Sequence, residues 1–455
     1  MQTRKLRKFQ IIEAECADFV SEGLGLSHIK VSGEEYKPLT GFVWGVLPGE
    51  RFLAKVLRVR SNHFHAAVLD LKEVPEEWIG VTDGKKEFKH DRWALFNVSA
   101  DRFEPPCERF TECGGCKMMH MDYEKTVALK TSWFKVQLQR NKVEFHHEIE
   151  SVKSDHPFYY RNHVQIHINK HKQRGFYAPG SYRTVPFPEK GCLIFRQDLV
   201  DAAFPAELEL ERCVRVRIDP TTEKTLTCSL NTPEDKAAKF TYTVAFPPET
   251  QTTVEIPNPS FFQINLEFIP IWLEKIKKLF DAFVPENDKP VRVLELFSGV
   301  GFITRMLSYE RKIDSLGIDI LKPSEVDKVK ITNDKLGQPS LTNFANRYIQ
   351  CDLNRLDTMG KGDLEKIQSF DPQLLIINPP RGGFMPEQIE FLLKDILQDK
   401  RLPIIFSSCN GATLARDIAF LQTKDYQMGK SSLLDFFPWT SHYEILTTLQ
   451  EKERS

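Results

Sequence analysis

The chain has 455 residues, a formal net charge of −1 and an apolar fraction of 41%. The length predicts two to four domains with ordinary cores, and the near-neutral charge excludes a globally basic nucleic-acid-binding surface, so that RNA contacts would have to come from local patches. The basic N-terminus is followed by no apolar run, no stretch reaches membrane-spanning length, and the nine cysteines occur without a secretory signal. We therefore expect a soluble cytoplasmic protein with reduced thiols, no membrane contact and no obligate protein partner.

Residues 1–72 are predicted to form a small β-barrel of the TRAM or OB type. The segment "FVWGVLPGERFLAKVLRV" contains two strands around a turn at Pro48 and Gly49, and "NHFHAAVLDL" supplies another strand. Several short strands within so few residues are typical of such barrels. The following residues, 72–106, are rich in Glu, Lys and Asp and are predicted to be a linker with some extended structure.

Four cysteines mark a predicted metal site in a central, mainly β domain, residues 73–255. "CERFTECGGC" contains Cys107, Cys113 and Cys116, and Cys192 in "KGCLIF" is a distant fourth candidate. Clustered thiols in a reducing compartment are typical of metal centres, and the Gly-Gly pair frees the loop to wrap around one. The cysteines alone leave four-thiolate zinc and an iron–sulfur cluster both open.

A predicted helix, "YEKTVALKTSWFKVQLQRN", follows the cysteines, and strand-like sequence runs from 158 to about 250. Within it, "YYRNHVQIHINKHKQRGFYAPGSYR" alternates tyrosines and histidines with basic residues, namely Arg161, Lys170, Lys172, Arg174 and Arg183. Such a stretch either neutralises phosphates while its rings stack on unpaired bases, or forms a solvated strand face.

The last domain, residues 256–455, is predicted to be a doubly wound, Rossmann-like α/β fold, because apolar strands alternate with helical segments. In "ELFSGVGFITRML", Gly299 and Gly301 allow a sharp turn after a strand, and Asp319 in "LGIDI" ends the next predicted strand. This spacing favours a cofactor whose ribose hydroxyls bind the acid. The lack of a third glycine favours S-adenosylmethionine over a dinucleotide.

Two further segments contain candidate reactive groups. In "FSSCNGATLARD", Cys409 follows an apolar run and precedes a helical segment, and a core role for this thiol is the alternative. "DFFPWTSHYEILTTL" holds Asp435, His442 and Glu444 among aromatic residues. A carboxylate in apolar surroundings has a raised pKa and can act as a general base.

Together these segments resemble the uridine-C5 RNA methyltransferases, bacterial enzymes that make 5-methyluridine in 23S rRNA or tRNA. "SCNGATLARD" is similar to the family's Ser-Cys-Asn-Pro-x-Thr-Leu-Ala-Arg-Asp motif, and "DFFPWTSHYE" to Asp-x-Phe-Pro-x-Thr-x-His-x-Glu. "PSFFQIN" is similar to Phe-Phe-Gln-x-Asn, and the cysteines to the [4Fe-4S] subgroup. Residues 21–71 look like the TRAM domain that many members carry.

The resemblance implies specific roles. Cys409 would add to C6 of the target uracil and make C5 nucleophilic, S-adenosylmethionine would give the methyl group, and Glu444 would remove the C5 proton. The four cysteines would hold a [4Fe-4S] cluster. The partner would be structured RNA, rRNA in preference to tRNA, with an unpaired or flipped-out target base. The cofactor positions are Gln263, Phe297, Asp319 and Asn378, together with Gly299 and Gly301 of the turn and Asp352 near the adenine.

Two departures from the family's motifs leave the substrate open. Gly411 stands where the family has proline, and Asn378 stands where it has aspartate. Because asparagine both donates and accepts hydrogen bonds, Asn378 is compatible with cytidine C5 or an exocyclic amine as the methylated position. The sequence is also compatible with a tRNA target and with an RNA-binding protein that has no catalytic activity.

Overall fold

The computed structural model describes residues 6–29, 39–76, 88–202, 213–218, 225–228, 238–257, 260–285, 289–338 and 347–452. Some predicted features lie outside the described residues, namely the first five residues of the basic N-terminus, part of the predicted linker (77–87) and Pro259 of "PSFFQIN". Within the described part of the chain, no helix is long and apolar enough to cross a membrane.

The N-terminal region forms a small β-barrel, as predicted. Its strands are β1 (Ile11–Val20), β2 (Leu24–Ile29), β3 (Thr40–Trp44), β4 (Arg51–Val59) and β5 (His63–Val68), and a 3₁₀ turn, Leu71–Glu73, follows. They close in the order β1-β2-β3-β5-β4, and alternate residues of each strand fill the interior, as the period-two pattern requires. A Cβ at Gly41 would lie 2.3 Å from Cζ of Phe64, so the glycine makes room for this buried ring.

The linker prediction is wrong for residues 88–106, which pack onto the barrel. Trp93 and Leu95 are fully buried in one apolar cluster with barrel residues. Arg102 donates two hydrogen bonds of 2.6 Å to the buried carboxylate of Glu50, which follows the predicted Pro-Gly turn. The charged composition of this segment suggested solvent exposure. A carboxylate can nevertheless be buried when both of its oxygens are paired, as those of Glu50 are.

The central region contains a helix, a strand that joins the C-terminal sheet, and a five-stranded sheet. Helix α1 (Tyr123–Arg140) confirms the predicted helix, and Asp122 caps it by accepting from the amides of Glu124 and Lys125. Strand β6 (Ile149–Val152) comes next. The remaining elements are β7 (His163–Ile168), β8 (Arg174–Tyr177), β9 (Thr184–Pro186), α2 (Gln197–Ala202), β10 (Cys213–Ile218) and β11 (Thr225–Cys228). The sheet has the order β11-β10-β7-β8-β9.

The C-terminal region is built on an eight-stranded sheet. Besides β6, its strands are β14 (Val291–Leu296), β15 (Ile313–Asp319), β17 (Tyr348–Gln350), β18 (Leu374–Ile377), β19 (Ile404–Ser408), β20 (Tyr426–Leu434) and β21 (Glu444–Glu451). They follow the order β17-β15-β14-β18-β19-β21-β20-β6. In this order the strands from β17 to β19 are parallel, and β21 is antiparallel to both β19 and β20.

Helices cover both faces of this sheet, which confirms the Rossmann-like prediction. Alternate strand residues belong to two separate apolar clusters, one on each face. The helices are α3 (Phe268–Phe283), α4 (Phe302–Leu307), α5 (Pro323–Val326), α6 (Lys361–Phe370), α7 (Pro386–Phe391) and α8 (Gly411–Gln422), with a 3₁₀ turn at Leu353–Thr358 and a π turn at Leu392–Ile396. Helix α3 packs on one face, and α1 and α8 pack together on the other.

Parts of the central region join the C-terminal fold. Strand β6 pairs in parallel with β20 at the sheet edge. Strands β12 (Lys239–Val244) and β13 (Thr252–Pro257) form a second sheet with β16 (Lys330–Asn333). The predicted domain boundaries at residues 72 and 255 stay predictions. Strand β16 pairs with β13, so the second sheet extends across the boundary at 255.

A buried ion pair links α1 to the segment between β20 and β21. Nζ of Lys130 lies 2.6 Å from Oδ1 of Asp435, and both side chains have no exposed surface. Tyr123 donates to the other carboxylate oxygen at 2.8 Å, and Lys130 also donates to the carbonyl of Phe437 at 3.2 Å. The C-terminal aromatic segment is therefore held by charges in a dry interior, where each partner depends on the other.

Candidate active site

The carboxyl ends of the parallel strands bring most of the predicted site residues to one edge of the sheet. Phe297 follows β14, Asp319 ends β15, Asn378 follows β18 and Cys409 follows β19. Strand β14 pairs with both β15 and β18, so the strand order reverses here. Ligands of open α/β sheets bind in the crevice at such a switch point.

The loop after β14 has the backbone of a ligand-binding turn. Phe297, Gly299 and Gly301 have φ angles of 55°, 53° and 68°, in the left-handed region. A Cβ on Gly299 would meet no atom within 4 Å, so the space around the α-carbon of this residue is open on that side. The Gly299 amide donates to Oδ2 of Asp319 at 2.9 Å, which fixes the loop against the end of β15.

The remaining predicted cofactor residues lie on neighbouring loops. Asp352 caps the turn at Leu353–Thr358, and the amide of the preceding Cys351 donates to the carbonyl of Asp319 at 2.8 Å. Gln263 is half-buried on the loop before α3. On that loop Phe262 contacts Phe302 of α4 edge-on, with 5.2 Å between ring centroids.

Cys409 is a half-buried thiol at the point where β19 ends and α8 begins. Asn410 caps α8 through the amide of Ala412 and also donates to the carbonyl of Arg381 at 2.9 Å. Burial and then the negative charge of Glu444 raise the pKa of the thiol to about 11, whereas the guanidinium of Arg381 opposes this rise. The resting group is therefore a protonated thiol.

Glu444 lies next to Cys409 across the sheet. Ser408 pairs with Ile445, so the residue after Ser408 stands opposite Glu444 at the start of β21. The carboxyl is 5% exposed, and burial raises its pKa to about 7, although a hydrogen bond from Ser407 (2.6 Å) opposes this. The raised pKa expected from the apolar surroundings is confirmed, and such a group can accept a proton near neutral pH.

His442 is neutral at pH 7. Burial lowers its pKa to about 4, and the positive charge of Arg381 adds to this effect. Its ring contacts Phe437 edge-on, with 6.1 Å between centroids. The imidazole of His442 therefore contributes no positive charge to the site at this pH.

The glycine that departs from the family's proline has a packing reason. A Cβ on Gly411 would lie 2.6 Å from the hydroxyl oxygen of Tyr443 and 2.9 Å from Cδ2 of Phe134 in α1. Both rings are buried and cannot move freely. Any larger residue would therefore require Tyr443 and Phe134 to shift.

Several contributing residues were missed in the sequence. Ser407 donates a hydrogen bond to Glu444, and Trp272 donates one to Ser407. Arg381 interacts with the thiol of Cys409. Asp417 of α8 has no exposed surface and accepts from the amide of Phe384 at 2.7 Å, which anchors the loop after Asn378. The doubled serine before Cys409 was the one available signal for Ser407.

The four predicted metal-site cysteines line one small cavity, here called the cysteine pocket. It has a volume of about 30 Å³ and is otherwise walled mainly by Phe110, Phe176, Phe187 and Met119. Burial raises the pKa of Cys113 to about 11 and that of Cys192 to about 12. Among the described residues, no three His, Cys, Asp or Glu side chains are arranged to hold a metal ion.

A larger cleft of about 730 Å³ lies between the barrel, the cysteine loop, the β8–β9 hairpin and the segment before β21. Trp44, Lys117, Tyr177, Tyr182 and His442 are among the residues that line it. Tyr182 is 90% exposed, and Nζ of Lys117 lies 4.8 Å from the centroid of the Trp44 ring. The cleft thus combines aromatic rings and a cation.

The predicted basic stretch does not form one surface. Lys170 and Lys172 are exposed at the β7–β8 turn, and Arg183 is exposed next to Tyr182. Arg161 is half-buried, and its charge acts on Cys116 and Cys192. Arg183 is therefore adjacent in sequence to the cleft, whereas Arg161 faces the interior.

Comparison with known proteins identifies relatives over the whole chain. Residues 254–452 match the family model described as tRNA (uracil-5-)-methyltransferase. An uncharacterized RNA methyltransferase of Leptospira interrogans is 29% identical over 366 residues, covering 78% of this chain and 82% of that protein. Another, from Halalkalibacterium halodurans, is 24% identical and covers 99% of both chains.

One solved structure has a similar fold over nearly the whole chain. It is the Pyrococcus abyssi tRNA (uracil-54, C5)-methyltransferase in complex with S-adenosyl-L-homocysteine, with a TM-score of 0.58 and 18% sequence identity. The match covers 96% of this chain and 99% of that one. At this identity the likeness establishes the fold.

Proposed function

We propose that the chain, whose residues 254–452 match the family model described as tRNA (uracil-5-)-methyltransferase, is an S-adenosylmethionine-dependent RNA methyltransferase that forms 5-methyluridine through a covalent bond between Cys409 and C6 of the target base. The observation that carries the proposal is the pairing of β19 with β21, which sets Cys409 beside Glu444. Both lie at the edge of the sheet where the cofactor crevice opens.

Cys409 begins the reaction by adding to the ring. The thiol releases its proton to solvent water, and the positive charge of Arg381 favours the thiolate against the burial that disfavours it. Sulfur then bonds to C6, and the electron pair of the C5–C6 bond moves toward C5 and the O4 carbonyl. Bound S-adenosylmethionine supplies an electrophilic methyl group for that carbon.

Glu444 completes the reaction as the base. Its carboxylate takes the proton from C5, and the electrons of that C–H bond restore the C5–C6 double bond as the S–C6 bond breaks. A pKa of about 7 keeps a useful fraction of the group ionised at neutral pH and also lets it release the proton afterwards.

The crevice residues fit the cofactor. Its open loop at Gly299 admits the ligand, and the carboxylates of Asp319 and Asp352 can accept hydrogen bonds from ribose and adenine. Phe297 provides a ring, and its edge contact with Phe384 (5.4 Å) fixes that ring. Gln263 and Asn378 complete the proposed set.

The identity of the product tests the proposal. The protein, S-adenosylmethionine with a labelled methyl group, and RNA from cells lacking this gene are incubated, and the RNA is digested to nucleosides. We expect 5-methyluridine, in the rRNA fraction. Label in 5-methylcytidine or an N-methylated base would overturn the uridine assignment and favour the alternative that Asn378 raises, while label confined to tRNA would overturn the rRNA target.

We propose that the substrate RNA runs through the cleft. Trp44 and Tyr182 offer faces on which bases can stack, and the indole nitrogen of Trp44 has no hydrogen-bond partner among the residues described. Lys117 and Arg58 supply positive charge. Rings combined with cations are the usual means of binding unpaired nucleotides.

Removing the ring of Tyr182 measures this contribution. Tyr182→Ala is expected to weaken RNA binding roughly 5- to 150-fold, because stacking on one ring contributes about 1–3 kcal/mol. Affinity is measured by filter binding at fixed salt. Phe103→Ala, which removes another exposed ring (54% exposed) outside the cleft, is the control. Equal affinities for both variants would rule out the cleft as the RNA path.

We propose that the four cysteines lining the cysteine pocket hold a [4Fe-4S] cluster. Four thiols line one mainly apolar cavity, and as thiolates they could bind iron. The amide of Gly115 donates to Sγ of Cys113 at 3.4 Å, a contact that favours the thiolate. We prefer rRNA over tRNA as the substrate because the resemblance links a TRAM-like barrel and a cysteine-bound cluster to the rRNA-modifying members of the family.

Iron content and colour test the cluster. Anaerobically prepared protein is expected to be brown, with absorbance near ~400 nm. Cys192→Ser should lose this absorbance and the bound iron, whereas Cys351→Ser, a half-buried thiol outside the pocket, should keep both. Colourless wild-type protein that binds zinc would contradict the cluster and leave the methyl-transfer proposal intact.

A further inference from the structure

A chain of buried hydrogen bonds ends on the proposed base. Nε1 of Trp272 donates to Oγ of Ser407 at 3.1 Å, and Oγ of Ser407 donates to Oε1 of Glu444 at 2.6 Å. Trp272 and Ser407 are each 1% exposed and Glu444 is 5% exposed. The chain runs from helix α3 through β19 to β21, so three separate elements fix it.

The direction of each hydrogen bond is fixed by chemistry. An indole nitrogen can only donate, so the Ser407 oxygen accepts from Trp272. The single hydroxyl proton of Ser407 is then free for Glu444, and the short distance suits a bond to an ionised carboxylate. The hydroxyl of Ser407 therefore has a single orientation, in which it donates to Glu444.

The sheet register puts this donor on the catalytic side. Residues two apart in a strand point to the same face, so Ser407 shares a face with Cys409 and, through its pairing with Leu446, with Glu444. Ser408 points to the other face, where its hydroxyl contacts Asn410. Of the two serines, only Ser407 is thus placed to hold the carboxylate of Glu444.

We propose that Ser407, oriented by Trp272, is a positioning residue that holds one oxygen of Glu444 and leaves the other to take the C5 proton, an inference that rests on the proposed function. Oε2 has no hydrogen-bond partner among the described residues. Without the serine the carboxylate would be free to rotate about its last torsion. Ser407 would thus act on proton removal and not on thiol addition.

Ser407→Ala separates the two steps. With natural RNA, we expect turnover to fall about 10- to 100-fold, as for loss of a hydrogen bond to a charged group. Methylated RNA covalently bound to protein should accumulate, because elimination waits for loss of the C5 proton. With RNA containing 5-fluorouridine, adduct formation should stay within about 2-fold of wild type, since fluorine blocks that later step in both proteins.

The pH dependence supplies a second readout. The hydrogen bond from Ser407 lowers the pKa of Glu444, so its loss should raise that pKa and move the acid limb of the turnover profile to higher pH. Ser407→Thr keeps the hydroxyl and should restore the wild-type profile. Trp272→Phe keeps Ser407 but removes the donor that orients its hydroxyl, and should produce a smaller shift in the same direction.

Ser431→Ala is the matched control. Ser431 is also buried in this sheet, and its hydroxyl contacts Thr447 of β21 at 2.6 Å rather than Glu444. It should change neither the profile nor the level of bound RNA. The inference is overturned if Ser407→Ala leaves both unchanged or if Ser431→Ala alters them equally. Absence of a 5-fluorouridine adduct in the wild type would instead remove the proposed function itself.

Discussion

Cys409→Ala is expected to abolish methylation, by at least ~10³-fold in turnover, and to eliminate the covalent adduct with RNA that contains 5-fluorouridine. The reason is chemical, because without sulfur at C6 the C5 carbon does not become nucleophilic enough to take a methyl group. Denaturing gel electrophoresis of labelled RNA measures the adduct, and methyl incorporation measures turnover.

The fold should tolerate this change. Cys409 is half-buried at a strand end, so loss of one sulfur atom leaves only a small, open gap. Binding of S-adenosylmethionine, measured by calorimetry, should therefore be retained by Cys409→Ala. An adduct that persists in this variant would show that another residue is the nucleophile, and a wild-type protein that binds no S-adenosylmethionine would favour a non-catalytic RNA-binding role.

Lys130→Met is expected to produce the largest loss of stability, about 3–5 kcal/mol in the free energy of unfolding. It leaves the carboxylate of Asp435 buried with Tyr123 as its remaining side-chain donor. The loss is measured by urea denaturation at pH 7. Desolvation lowers the pKa of Lys130, and the charge of Asp435 offsets this, so the pair is stable only while both partners are present.

An exposed pair provides the comparison. Lys125 and Asp101 form an ion pair in which both side chains are about half exposed, and Lys125→Met should cost less than ~1 kcal/mol. Adding Asp435→Asn to Lys130→Met removes the unpaired charge and should recover much of the lost stability. Equal losses for Lys130→Met and Lys125→Met would mean that burial does not determine the strength of the inner pair.

The sequence predicted the parts of the molecule that depend on local pattern. The strand–turn–helix at Gly299 and Gly301 and the helix over 123–141 follow from apolar periodicity and turn chemistry over short spans. Cys409 and Glu444 were recognised from motifs, and their proximity follows once β19 and β21 pair. Such features need no knowledge of distant partners.

What the sequence did not reveal depends on contacts between distant residues. Ser407 and Trp272 are 135 positions apart, and each is ordinary in its own segment. Lys130 looks like a solvated helix charge until Asp435, 305 positions later, is placed beside it. Residues 88–106 appeared to be a linker because their charges conceal the buried Trp93 and Arg102.

The edge strand β6 and the packing of α1 on α8 determine which part of this chain can fold by itself. The recognisable methyltransferase sequence begins at 254, yet the sheet that carries Cys409 is finished by residues 149–152. A protein trimmed to the recognisable part would present the bare backbone of β20 and an uncovered apolar helix face, both of which invite self-association. The C-terminal segment therefore depends on residues 149–152 for its complete sheet and on α1 for the cover of its helix face.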